Sequence, residues 1–352
     1  IDKMDDNFGR AAIIENGSPL FSGGTSSGES QIRRWLLEKD LIEAIVALPT
    51  DLFYNTGIAT YIWVLSKNKR RERKGKIQLV DASGLYSKLR KALGNKKNEI
   101  SSENRSKITK LYADFAENEY CKIYNNEEFI YREYTVMQPL QRSYAITEER
   151  IKAMLSKGSL SSLYDQVKVD EFENMEELTG KDLKKLEGYQ NNRPVYESIV
   201  EALQAAVSEQ IYYSPKAFMP VLTNALTNAT ADKKLLDKIA DGLSVMDKNA
   251  EIQKDKKGNI LYDKETKDTE LVKWEESIDD YMAREVLPHV PDAKAFFEED
   301  LGKKKPVIKT GAEIPFTRYF YKYQQPTPSE ELEAKFMDLE LSVSECVSKL
   351  FE

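Results

Sequence analysis

Two short apolar runs constrain this chain more than anything else in it. Ile42–Leu48 reads IEAIVAL and stops at Pro49, and Ala59–Leu65 reads ATYIWVL. Each is too short for an ordinary helix, and each is bounded by turn formers. That is the pattern of strands buried on both faces. Between them lie the nine residues Pro49–Gly57, with adjacent aromatics Phe53 and Tyr54, then Asn55, Thr56 and Gly57. Aromatic and amide groups held on a loop between core strands make a binding device. The plainer alternative is that Phe53 plugs the end of a sheet.

The flanking sequence extends the frame. Gly9–Glu15 reads as a strand turned by Asn16 and Gly17, and Lys76–Asp81 as another. In the intervening helix Ser26 and Glu29 have the spacing of a capping box, and Ile32, Trp35 and Leu36 form a stripe to lie on the sheet. The loop GGTSSGES has no Lys after its last Gly, so it is not a P-loop. Strands alternating with helical cover predict the tail of a doubly wound α/β sheet.

At 352 residues the chain has room for two domains and a small third. Its net charge is −7 and no apolar run approaches the ~20 residues that span a bilayer. Nothing at the start resembles a signal peptide, so we expect a cytoplasmic protein. Cys121 and Cys346 are too few for a disulfide framework or a four-thiolate zinc site. His289 is the only histidine, which excludes multi-histidine metal centres and argues against a Ser-His-Asp triad. Because the chain opens on Ile1 and runs at once into a strand, we expect a C-terminal fragment of a longer protein.

Lys67–Lys110 holds fifteen Lys and Arg against four Asp and Glu. Such a run is a solvated face or the footprint of a phosphate backbone. Within it Lys69, Arg70, Arg71 and Arg73 follow closest on the loop, and Leu85–Gly94 reads as a short basic helix or turn. Ile108, Leu111, Tyr112 and Phe115 then mark an amphipathic helix, and Phe129–Val136 a strand. Beyond Thr147 the chain turns helical, with candidates at Thr147–Leu155, Thr179–Leu186, Tyr196–Gln210, Ser214–Thr227 and Asp232–Leu243. Glu251–Glu270 reads as a hairpin turned at Lys256–Asn259. An EF-hand register there would put Gln253 first and Lys264 last, so a calcium site is excluded. Phe316, Tyr319, Phe320, Tyr321 and Tyr323, beside Arg318 and Lys322, suit a packed aromatic core with cation–π contacts or a base-stacking platform. The last helix, Glu330–Phe351, repeats Leu332, Phe336, Leu339, Val343, Cys346 and Leu350 in alternating steps of four and three, a heptad seam.

The stretches GRAAIIENGSPLFSGG, ESQIRRWLLEKDLIEAIVALP, LFYNTGIATYIWVLSKNK and KIQLVDAS resemble the modification subunit of type I restriction-modification systems, an N6-adenine DNA methyltransferase. CKIYNNEEF, YMAREVLPHVPDA and GAEIPFTRYFYKY are similar to its later parts. The resemblance implies α/β architecture, the C-terminal part of a Rossmann-like methyltransferase sheet, followed by a mostly α-helical C-terminal domain. It implies that the strand Ala59–Leu65 runs antiparallel to its neighbours, in keeping with a loop too short for a parallel crossover. The expected divisions are 1–84 for the end of the catalytic domain, 85–146 for a small α+β appendage, 147–329 for a helical region and 330–352 for a docking helix. S-adenosyl-L-methionine is the implied cofactor, and double-stranded DNA, a specificity subunit and a restriction subunit are the implied partners.

Phe53, Tyr54, Asn55, Thr56 and Gly57 take the place of the family's target-base contacts, and the heptad residues that of its specificity-subunit contacts. No catalytic residue is assigned in this stretch, because the family's Asn-Pro-Pro-aromatic motif has no counterpart and no Asn-Pro dipeptide occurs. Missing strands would leave an unpaired edge near Gly9–Ile14. Two rivals stand beside this reading: a non-catalytic helical adaptor that docks a specificity subunit, and a general nucleic-acid binder working through Lys67–Lys110.

Overall fold

Every residue of Ile42–Leu48 is buried, and the strand it forms lies at the centre of a five-stranded sheet. The computed structural model describes residues 1–349 apart from Glu176, Thr230 and Gln324. It divides into two units, the first being Ile1–Glu133 with Leu271–Glu276 and Glu298–Glu352. The first unit's elements include β1 (Arg10–Asn16), α1 (Gly28–Glu38), β2 (Ile42–Leu48), β3 (Thr60–Ser66), β4 (Lys76–Asp81), β5 (Ser87–Leu93), β6 (Lys96–Glu99), α2 (Ser102–Asp114), β7 (Cys121–Asn125) and the first half of β8 (Ile130–Met137). The sheet order is β1-β3-β2-β4-β7. β3 runs antiparallel to both β1 and β2, as expected of a strand reached through so short a loop, while β2 and β4 are parallel.

Branched aliphatics make the core of this sheet. Ile42, Ile45, Ile77 and Leu79 are inaccessible to solvent, and each such side chain stabilises the fold by about 1.5–3 kcal/mol. Leu36 and Leu37 of α1 pack on one face, while Ile108 and Leu111 of α2 lie against Val46, Val80 and Cys121 on the other. The helix α1 sits differently from its sequence pattern. Ile32 and Trp35, expected on the sheet, are exposed, and Arg33 is buried in their stead. Its guanidinium donates to the carbonyls of Ala312 (2.7 Å), Ser22 (2.8 Å) and Pro19 (3.0 Å), which satisfies the charge without an acid. The N-cap is Ser27, one residue beyond the expected Ser26, and it accepts from the Ser30 amide.

Leu85–Gly94 is neither helix nor simple turn. β5 and β6 form a hairpin closed by Gly94 and Asn95, with Leu93 opposite Lys96. Gly94 takes φ +63°, the left-handed conformation such two-residue turns need. Of the aromatics near the C-terminus, Phe316 packs on Tyr61 and Phe320, and Tyr319 on Tyr124 and Phe129, while Tyr321 and Tyr323 are exposed. The cluster is thus ring against ring, without the expected Arg318 and Lys322 contacts among the described residues.

The second unit, Tyr134–Glu270 with Ser277–Phe297, is helix-rich. Met154, Ile199, Leu203, Phe218, Leu222 and Ile239 form its core. Thr147, Ser214 and Asp232, the first residues of three expected helices, cap them by accepting from the amides of Arg150, Ala217 and Leu235. Thr179–Leu186 and Tyr196–Gln210 are not two helices but one, Gly180–Ala205, running through Pro194. A proline removes one backbone hydrogen bond, and here the buried Ile199 and Leu203 hold the downstream half in place. The hairpin turned at Lys256–Asn259 is present, with Lys254 opposite Ile260 and Gly258 at φ +87°. Arg142, buried, makes a two-pronged pair with Asp263, both hydrogen bonds at 3.0 Å.

Candidate nucleic-acid interface

The loop after β2 is folded back on itself. The Asp51 amide donates to the Gly57 carbonyl at 3.4 Å, and Phe53 bridges to Thr56. A β-carbon on Gly57 would stand 2.5 Å from the Asp51 carboxylate, so this position tolerates no side chain without a shift. The fold displays the middle of the loop: Tyr54 is 65% exposed and Asn55 is exposed, while Phe53, Thr56 and Gly57 are half-buried. None of the five is sealed in the core.

What holds this loop is the β5–β6 hairpin, which the sequence did not associate with it. The Asn95 amide donates to the Tyr54 carbonyl at 3.0 Å, and the amides of Lys97 and Asn98 converge on the Asp51 carbonyl at 3.0 and 3.1 Å. The Asn98 side chain, itself buried, donates to the Thr50 carbonyl at 2.9 Å. The Lys96 ammonium lies 5.2 Å from the centre of the Tyr54 ring, within cation–π range. The Gly-Asn turn between two short runs was the available signal, and it was masked by the density of Lys and Arg around it.

The four cations singled out beside the loop part company. Arg70 and Arg71 are exposed. Lys69 and Arg73 are buried, which removes them from any surface that meets a phosphate backbone. The Lys69 ammonium pairs with Asp40 at 2.5 Å and the Lys76 carbonyl at 2.6 Å, and burial holds its pKa below the usual lysine range. Arg73 lies between the rings of Tyr112 and Phe115 at 4.6 and 4.3 Å, donates to Gln78 at 2.8 Å and faces Glu43 at 3.6 Å. Glu43, buried within β2, also takes Arg10 at 2.6 Å and the Tyr112 hydroxyl at 2.6 Å. A buried carboxylate requires such company.

The terminal helix spans Ser329–Ser348, and all five described seam residues, Leu332, Phe336, Leu339, Val343 and Cys346, are exposed. Leu350 lies outside the described residues. At the other end, β1 pairs on one side only among the described residues, and Ile13 and Ile14 stand about half exposed. Beside it a groove of about 470 Å³ runs between the sheet and α1, lined by Ile13, Ile32, Leu36, Trp63 and Leu65. That lining suits packed side chains. Of its polar lining residues, Glu15, Asn16, Ser18, Ser22, Glu29 and Arg33, only Asn16 carries a side-chain amide, and Arg33 is already committed to three carbonyls. The residues present in it do not make up a site for S-adenosylmethionine.

Residues 1–150 match the family model described as N-6 DNA Methylase. The chain is 35% identical over 176 residues to the type I restriction enzyme MjaVIII methylase subunit of Methanocaldococcus jannaschii, covering 49% of this chain and 29% of that protein. It is 40% identical over 72 residues to the HindI methylase subunit of Haemophilus influenzae, covering 20% of this chain and 15% of that protein. Among solved structures, a type I restriction-modification methyltransferase subunit from Streptococcus thermophilus is 27% identical with a TM-score of 0.30, covering 34% of this chain and 24% of that one. The matches thus span less than a third of each of these relatives' length.

Proposed function

We propose that the chain, whose residues 1–150 match the family model described as N-6 DNA Methylase, is part of the DNA-methylating subunit of a type I restriction-modification complex. The reaction is transfer of a methyl group from S-adenosyl-L-methionine to N6 of adenine in duplex DNA, in the cytoplasm. The five-stranded sheet is read as the closing part of a Rossmann-like methyltransferase sheet, with 1–84 catalytic, 85–146 an appendage, 147–329 a helical region and 330–352 a docking arm. The antiparallel β3, set between β1 and β2, supports that reading.

The observation that carries the proposal is the outward display of Tyr54 and Asn55 on a loop hydrogen-bonded to the β5–β6 hairpin, in the family-matched segment. An adenine inside a duplex is out of reach, so it must be extruded and then held by stacking and by hydrogen bonds to its edge. Phe53 or Tyr54 supplies the stacking face, Asn55 and Thr56 the edge contacts, and Gly57 the close backbone approach. These residues bind and orient the base; none of them is assigned a proton transfer. With no Asn-Pro dipeptide in it, the chain by itself is expected not to methylate.

The test is a methylase complex that includes this chain together with its specificity subunit. Phe53→Ala combined with Asn55→Ala is expected to cut methylation by roughly 10- to 100-fold or more, the worth of one base stack and its hydrogen bonds, with assembly intact. Unchanged methylation would sink the proposal. The exposed heptad seam favours a second reading, a helical adaptor that only docks a specificity subunit. That reading requires the loop variant to methylate normally and Phe336→Asp with Leu339→Asp to abolish association.

A further inference from the structure

The loop after β2 is not held by its own contacts alone. Of its carbonyls, those of Thr50, Asp51 and Tyr54 accept hydrogen bonds from the β5–β6 hairpin, four bonds in all. The approach is close enough to forbid side chains. A β-carbon on Gly94 would stand 2.6 Å from the Tyr54 carbonyl oxygen, and at φ +63° the residue is in the region that favours glycine. The tightest point of the hairpin, its turn, is therefore seated against the backbone that carries the exposed Tyr54 and Asn55.

The same hairpin carries charge with no internal use for it. Lys88, Arg90, Lys91 and Lys97 are exposed, and among the described residues none of them enters an ion pair. Glu99 is the only acid between Ser87 and Glu99. Four unpaired cations on so short an element repel one another, and a polyanion relieves that repulsion while releasing its own counterions. Charge alone would describe any solvated surface. Here it sits on the one element that sets the loop.

We propose that the β5–β6 hairpin is the positioning element of the target-base loop, its Gly94–Asn95 turn and Asn98 fixing Thr50–Tyr54 while Lys88, Arg90 and Lys91 bind duplex phosphates beside the extruded base. Phosphate binding and loop geometry are then coupled through one hairpin. This rests on the reading of Phe53–Gly57 as the target-base loop.

The experiment uses the complete methylase complex, with affinity and turnover read on a duplex carrying the target adenine and base extrusion read separately on a duplex with 2-aminopurine in its place. With Lys88→Gln, Arg90→Gln and Lys91→Gln combined, the Kd for DNA rises by at least tenfold. The slope of log Kd against log salt falls by roughly 2–3, at ~0.9 for each phosphate no longer neutralised. Saturating DNA restores the wild-type turnover within twofold. Asn98→Ala and Gly94→Ala do the reverse: they leave the salt slope unchanged, lower kcat about tenfold or more and weaken the 2-aminopurine signal. Lys74→Gln, an exposed cation outside the hairpin, is the reference and changes neither quantity. An unaltered salt slope in the triple variant, or normal kcat and 2-aminopurine signal in Asn98→Ala, overturns the proposal. If Phe53→Ala with Asn55→Ala abolishes methylation while the hairpin variants have no effect, only the hairpin proposal fails. If that loop variant methylates normally, the target-base reading itself has failed.

Discussion

Two sets of cations from one basic stretch meet opposite fates. Lys69 and Arg73 turn inward and are buried, whereas Lys88, Arg90 and Lys91, some twenty residues on, stay in solvent. Composition does not separate them, since both lie in a run with nearly four basic residues to each acidic one. The difference lies in the acids that the core supplies. β2 is buried throughout and carries Glu43 in its interior, and the turn before it presents Asp40. An isolated carboxylate in that setting costs several kcal/mol, so the fold draws Arg10 and Arg73 to one and Lys69 to the other. Among the described residues no buried acid stands beside the hairpin. A single acid inside an apolar strand is therefore a claim on some basic residue nearby, and cations left over once those claims are met are the ones free to bind.

The comparison is tested hardest at Arg73. Arg73→Ala leaves Glu43 short of a partner and removes the plate between Tyr112 and Phe115. Breaking a buried pair from one side costs about 3–5 kcal/mol. Trp35, Trp63 and Trp274 all belong to the first unit, so urea unfolding followed by tryptophan fluorescence reports that unit alone. A loss below about 1 kcal/mol would mean that the inward cations are as dispensable as surface ones.

Much of the sheet was legible in the residues alone. The runs at Ile42 and Ala59 became β2 and β3 with their ends shifted by at most a residue, because length, branching and flanking turn formers all point one way there. The loop between them was legible for the same reason. The hairpin that braces it was not. Its bonds to the loop run almost wholly through backbone amides and carbonyls, and those leave no mark in side-chain pattern; only Asn98 and the Gly94–Asn95 turn were there to be read. Arg33 escaped for a related reason: its partners are three carbonyls, so no acid in the sequence pointed to it.

A second, smaller effect is expected in alkaline solution. Burial, and after it the hydrogen bond to Glu43, raises the Tyr112 phenol above its ordinary value of 10.0. Burial raises Tyr61, Tyr124, Tyr131 and Tyr319 in the same unit, and the Cys121 thiol likewise. A group whose folded pKa lies above its unfolded one stabilises fully below the unfolded value and loses that contribution as pH rises through the folded value. Lys69, depressed by burial, acts with the opposite sign as pH approaches 10.5. Five phenols and a thiol outweigh one ammonium, so the urea midpoint should fall as pH rises from about 9 to 11. Tyr112→Phe should cost about 1 kcal/mol at pH 8, since Glu43 loses one donor, and should make the alkaline fall shallower. Identical slopes for variant and parent would remove Tyr112 from the inward network.

The smallest effect bears most directly on the comparison. Lys88→Gln, Arg90→Gln and Lys91→Gln together take away three positive charges, against one for Arg73→Ala, and yet should move stability by no more than about 0.5 kcal/mol. No described acid loses a partner, and the repulsion within the hairpin is relieved. The hydrogen bonds to Thr50, Asp51 and Tyr54 come from Asn95, Lys97 and Asn98, which the variant leaves untouched. Measured by the same tryptophan-monitored urea unfolding, a cost equal to that of Arg73→Ala would make the outward cluster structural too, and proximity to a buried acid would no longer distinguish cations that hold the fold from those that are free to meet DNA.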